Sequence, residues 1–276
     1  MNEEEFGEAN KVFAAKCVQL KKDGQPKVQH KPPIADADLK KVYESGVFST
    51  DHPKSLLNKV FLEIMLCFCR HGRQNLRHLK RSDVVLKTDS TETKFESKVN
   101  DELTKNHRED DGAEEGGIMY ATGGPFCPVA SFEKYLQHLN PQNEFLFQPP
   151  KKKLTPDSDV WYDNMVVGES SLGEMMKQIS KQARLSKDYT NHSIRATAVT
   201  IIDKSGFESR HILSLSGHRS ESSIRSYSKT DESETLTAGA VSEVSAERPE
   251  SQLAERHVPV SPVLSLSQEE HTMRDV

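Results

Sequence analysis

The sequence predicts an α+β domain that is mostly helical, with one small antiparallel sheet near its start. Two observations carry that expectation. Apolar residues recur at three- and four-residue spacing over 56–68, 128–139, 170–184 and 192–205, as one buried face of a helix requires. Three short segments, 84–86, 94–99 and 118–120, instead have the β-branched and aromatic character of strands.

Taken in order, residues 1–32 hold one amphipathic piece, 6–20, followed by the polar stretch KKDGQPKVQHKPP, which reads as a linker. The folded body is expected over 33–230. Its first helix buries Leu56, Leu57, Val60, Phe61, Ile64 and Phe68 on one face. A short second helix, 74–80, is anchored by Leu76 and Leu79. The three strands follow, with a hydrophilic excursion (HREDDGAEEGG) between the last two. Helix 128–139 carries Val129, Phe132, Tyr135, Leu136 and Leu139; helix 170–184 carries Leu172, Met175, Met176, Ile179 and Ala183. Three helices end the body: 192–205 closed by Gly206, 208–216 closed by Gly217, and 220–229 with Ser220 as N-cap. Residues 231–276 are rich in Ser, Glu, Pro and Thr without apolar periodicity, the composition of a disordered acidic tail.

A net charge of -5 looks wrong for a nucleic-acid ligand until it is divided along the chain. Residues 231–276 hold ten acids against three arginines, which leaves +2 on the preceding 230 residues. Charge therefore does not exclude DNA. No window approaches the eighteen apolar residues of a membrane span, and the start MNEEEF lacks the basic region of a signal peptide. The four cysteines form no paired ligand set and read as reduced, mostly buried thiols, so an intracellular protein is expected, neither secreted nor membrane-bound.

The chemistry is concentrated in NHSIRATAVTIIDKSGFESRHILSLSGHRSESSIRSYSK, residues 191–229. His192 and Arg195 stand three apart at a helix start and so share a side. His218 follows Gly217, and Tyr227 lies nine residues beyond it. Attack on a phosphodiester needs cations on the non-bridging oxygens, a proton donor for the leaving oxygen, and a nucleophile. Each piece alone is ordinary; the ordered set is not. This stretch resembles the C-terminal boxes of the tyrosine recombinases of the phage integrase class. The wording NHSIRAT and LSGHRSESSIRSY, with TKNH and CPV upstream, looks closest to Crypton-type recombinases and their transposon-derived relatives.

The resemblance, over roughly 35–229, implies the tyrosine-recombinase catalytic fold and a metal-independent DNA strand cleavage and joining activity. Tyr227 would attack the scissile phosphate to give a 3′-phosphotyrosine. Arg195 and His192 would hold the phosphate oxygens, with His218 beside them or moving a proton. Lys105, in DELTKNH, would be the acid for the 5′-hydroxyl. The first arginine is Arg70 or Arg73 in CFCRHGRQNLRHLKRSDV, with Arg70 preferred because it directly follows the apolar helix. Arginine suits this work because its fork binds two oxygens at once. Neither a cofactor nor a metal is implied.

The basic run Arg70, Arg73, Arg77, Lys80, Arg81 contains no acid, and Arg73, Arg77, Lys80 and Arg81 are expected to touch DNA phosphates. The expected partner is double-stranded DNA, in the nucleus or elsewhere inside the cell, with a homotetramer on paired sites implied by the resemblance. Residues 1–32 would be a remnant of the family's N-terminal clamp, which predicts weak, poorly selective binding. The runner-up is a catalytically silent, transposon-derived DNA-binding or chromatin-associated regulator.

Overall fold

The computed structural model describes residues 3–24, 31–98, 117–155, 158–218 and 220–224. The hydrophilic excursion, the acidic tail, Lys105 and Tyr227 lie outside the described residues. The chain divides into two compact units, Met1–Lys31 and Pro32–Val276. Among its described residues the first holds one helix, α1 (Glu3–Lys22).

The second unit is built around α3 (Pro53–Cys67), which follows α2 (Asp36–Glu44). Sequence periodicity suggested one buried face for this segment, but burial runs all the way round. Every residue from Leu56 to Cys67 is buried, Asn58, Lys59 and Glu63 included. The reason is position: α4 (Pro128–His138), α6 (Met175–Gln182), α7 (Asn191–Lys204) and the sheet all pack on α3. A helix surrounded by protein has no solvent face to keep polar.

The sheet has three antiparallel strands in the order β1 (Val84–Thr88), β2 (Lys94–Lys98), β3 (Ile118–Tyr120). The registers place Leu86 opposite Glu96, and Glu96 opposite Met119. The fold class, mostly helical with one small antiparallel sheet, is as the sequence predicts.

Two expected helices are not formed as predicted. Over 74–80 only a three-residue 3-10 turn, Leu76–His78, is present. Asn75 sits in the left-handed region at φ 57, which interrupts helical propagation, and Leu79 is already extended. Leu76 and Leu79 are buried nonetheless, since a 3-10 turn also puts residues three apart on one side. The segment 170–184 is two helices, α5 (Glu169–Gly173) and α6, separated at Glu174. Its apolar residues Leu172, Met175, Met176, Ile179 and Ala183 are all buried. The last elements are α8 (Ser209–Ser216), ended by Gly217 at φ 61, and α9 (Glu221–Ile224). The α2 helix was not foreseen. It is held by Asp38, whose carboxylate accepts from Ser186 N at 3.0 Å and Tyr189 Oη at 2.8 Å.

Between α3 and the sheet lies a buried polar group. Lys59 Nζ is 2.9 Å from Glu63 Oε1, with both side chains within 3% of fully buried. Lys59 also donates to Ser131 Oγ. Burial pushes the Glu63 carboxyl up to about 7 even against the pull of Lys59. Glu96, from β2, is pushed up to about 9 by burial and by the neighbouring Glu133 and Glu63 carboxylates. Both acids hold a proton more tightly folded than unfolded, where the ordinary value is 4.5. Their contribution to stability is therefore complete below about pH 4.5 and is lost as pH rises toward 7 and then 9.

Two outcomes follow for chemical denaturation. Glu96→Gln is expected to flatten the decline in stability between pH 5 and 9; an unchanged slope would remove Glu96 as its source. Lys59→Met strands Glu63 and is expected to cost about 3 kcal/mol at pH 8, with a smaller loss at pH 5 where Glu63 takes up a proton.

Candidate active site

The site is assembled where the C-terminus of α3 meets the start of α7 and the end of α8. α3 ends in a Schellman motif: Arg70 N donates to Met65 O at 3.1 Å, and Cys69 N donates to Leu66 O at 3.2 Å. The left-handed position of that motif is occupied by Cys69 at φ 44, where glycine is the usual residue. Such backbone costs on the order of 1–2 kcal/mol in a non-glycine residue. Something must hold it, and Arg195 does. Its Nη1 donates to Cys69 O at 2.6 Å, and its Nη2 donates to the carbonyl of Ser216.

That pair of bonds joins three helices through one buried guanidinium. Arg195 is 5% exposed and Arg70 6%. Arg70 is one peptide bond from the carbonyl that Arg195 holds. Arg73 lies over Gly173 at the surface and pairs with Glu174 at 3.0 Å. Burial pushes the Cys69 thiol up despite the nearby Arg195 charge, so this cysteine stays protonated at neutral pH.

His192 starts the first turn of α7 and is exposed, its ring lying against Gly72. A Cβ at Gly72 would stand 2.9 Å from His192 Nδ1, so the loop approaches the ring closely only because position 72 is glycine. The loop is fixed by a residue that the sequence reading passed over. Asn191 Nδ2 donates to Gly72 O at 2.7 Å and Leu172 O at 2.8 Å, while its Oδ1 accepts from Met176 N at 3.2 Å. Asn191 is buried and uses donors and acceptor together.

His218 is half-buried, and its Nδ1 is 2.7 Å from Ser216 Oγ. The single hydroxyl proton of Ser216 is donated to Ile212 O. Ser216 Oγ then accepts from His218, which places a proton on Nδ1. Ser216 thus orients His218 with its side chain and Arg195 with its carbonyl. No motif signalled either role.

The basic run does not form a helical stripe. Lys80 pairs with Glu144 at 2.9 Å, Arg81 Nη2 donates to Pro141 O at 3.2 Å, and Arg77 is exposed. Of the residues predicted for the site, Arg70, His192, Arg195 and His218 meet around one loop. Arg73, Arg77, Lys80 and Arg81 lie on the neighbouring surface, mostly engaged with it.

A family model described as a domain of unknown function, DUF3504, matches residues 35–181. The chain belongs to the DUF3504 family. The match stops before α7, so His192, Arg195 and His218 lie beyond it. Among solved structures, the DUF3504 chain is similar to the XerH site-specific recombinase bound to palindromic difH substrate in a post-cleavage complex. The TM-score is 0.52 at 15% identity, covering 79% of this chain and 56% of XerH. XerA recombinase is similar at a TM-score of 0.48 and 18% identity, covering 80% of this chain and 67% of XerA. The chain thus spans little more than half the length of XerH. The XerH likeness shows the fold, that of a tyrosine-recombinase catalytic domain. No curated protein matches the chain. Among the described residues, no helix is long and apolar enough to cross a membrane.

Asn191→Ala is expected to lower stability by about 1–3 kcal/mol, because two buried carbonyls and one N–H lose their partner together. Urea denaturation measures it; a loss within error would mean that water replaces the side chain. Gly72→Ala should displace the His192 ring and change the titration of that histidine by NMR, with an unchanged titration counting against the close approach.

Proposed function

We propose that this chain is a DNA-binding strand transferase of the tyrosine-recombinase type, related to the Crypton group and acting in the nucleus. The observation that carries the reading is the gathering of the Arg70 loop, His192, Arg195 and His218 at one place. Tyr227 follows His218 at a fixed nine residues in the sequence. The two carbonyls use only two of the five N–H groups of Arg195.

In this reading Arg70, His192 and Arg195 bind the non-bridging oxygens of the scissile phosphate. The Tyr227 hydroxyl attacks phosphorus and passes its proton to Nε2 of His218. The bond to the 5′ oxygen breaks, that oxygen takes a proton from Lys105, and the 3′ end stays on Tyr227 as a phosphodiester. Reversal with a different 5′-hydroxyl rejoins the strand. The residues supply charge and proton transfer without a metal. Arg73, Arg77, Lys80 and Arg81 contact the flanking duplex backbone. Exposed pairs such as Arg73–Glu174 and Lys80–Glu144 are weak, so exchanging a carboxylate for a phosphate is easy. A tetramer on paired duplex sites is the expected working assembly.

The experiment is a nicked suicide duplex followed by denaturing electrophoresis. Wild-type protein is expected to trap a covalent adduct, Tyr227→Phe none, and Arg195→Ala about 100-fold less. An adduct formed by Tyr227→Phe would dismiss the nucleophile. Salt-sensitive duplex binding with no adduct from any variant would assign the chain to the non-catalytic regulators instead.

A further inference from the structure

Within its own unit the helix α1 leaves apolar residues uncovered. Phe6, Phe13 and Leu20 are 55%, 71% and 38% exposed. With Ala9 and Cys17 they follow one another at steps of three, four, four and three residues, which puts all five on a single stripe. A twenty-residue helix with two exposed phenylalanines on one stripe gains much by covering them.

Two features of the stripe say what covers it. The first is symmetry. About Phe13, Ala9 and Cys17 stand four residues to either side, and Phe6 and Leu20 stand seven to either side. The spacing therefore reads identically in both directions. The second is charge. The sequence of the first six residues of α1 contains Glu3, Glu4, Glu5 and Glu8, and the remainder contains Lys11, Lys16, Lys21 and Lys22 with no acid. One end of the helix is acidic and the other basic.

We propose that α1 is a homodimerisation helix that pairs antiparallel with α1 of a second copy, on a two-fold axis beside Phe13. Phe13 then meets Phe13 of the partner subunit, Phe6 meets Leu20 of the partner subunit, and Ala9 meets Cys17 of the partner subunit. The acidic end of each helix lies along the basic end of the other. A parallel pair would set four glutamates beside four glutamates and is disfavoured. An anionic lipid surface fits less well, since the acidic half would be repelled from it. The pairing involves α1 alone and does not depend on the DNA reading.

Sedimentation of the full chain and thiol cross-linking test it. In the antiparallel pair the two Cys17 residues are about 12 Å apart along the axis, at 1.5 Å per residue. Wild-type protein is expected to sediment as a dimer at micromolar concentration and to resist oxidative cross-linking through Cys17. Ala9→Cys should yield a disulfide-linked dimer, and adding Cys17→Ser to that variant should abolish it. Phe13→Glu should raise the dimer dissociation constant by about 10-fold or more without changing thermal unfolding of the 32–276 unit. A monomer at every concentration overturns the proposal. So does a dimer indifferent to Phe13→Glu, wild-type cross-linking through Cys17, or a dimer in which Ala9→Cys does not cross-link.

Discussion

A guanidinium removed from water must be surrounded by acceptors, and the second unit supplies them to Arg195 from the ends of two other helices. Cys69 follows α3 and Ser216 closes α8, so both carbonyls belong to helix C-termini, where the backbone dipoles leave negative partial charge. The cation is stabilised without any carboxylate among these bonds. That matters for what it can do, because an acid close by would repel an incoming anion. The same bonds settle local geometry. They hold Cys69 in its left-handed conformation, set the point from which Arg70 leaves that turn, and fix Ser216 beside His218. A lysine at 195 could not fork to both carbonyls.

The sheet side of α3 follows a different logic. There a buried lysine and two carboxyls share a space between α3, α4 and β2, and protonation of the acids balances the charge. The centre around Arg195 works with carbonyls and keeps its cation; the cluster around Lys59 works with acids whose charge depends on pH. Both depend on α3, which has no solvent-facing side along most of its length.

Much of this was legible in the sequence, and the unread part has physical causes. Glycines 206 and 217 marked helix ends because a left-handed C-cap favours glycine, whereas Cys69 occupies the same conformation unannounced. Apolar spacing located α3, α4 and α7, yet it could not show that Lys59 and Glu63 are buried, since the pairing that permits this lies in three dimensions. Leu76 and Leu79 were rightly placed inside but wrongly placed on a helix, because a spacing of three suits both a helix and a 3-10 turn. At the candidate site, His192, Arg195 and His218 were visible as a pattern, and Arg70 was preferred to Arg73 for its place after α3. Asn191 and Ser216 were invisible: their work is done through backbone atoms of distant segments, and no spacing encodes that.

The side chains that complete the loop after α3 are made much later. Arg195 reaches Cys69 across 126 positions, and Asn191 reaches Gly72 across 119. During synthesis, Cys69 and Arg70 have only the two backbone bonds back into α3 to hold their turn until α7 is made. A chain that has reached α6 still lacks Ile194, Ala198, Val199 and Ile202 of the core, and it lacks the centre altogether. The centre is therefore acquired in one late step, when α7 docks, and should be lost in one step when α7 leaves. Any event that loosens α7 would dismantle the centre and uncover the face of α3 that α7 buries.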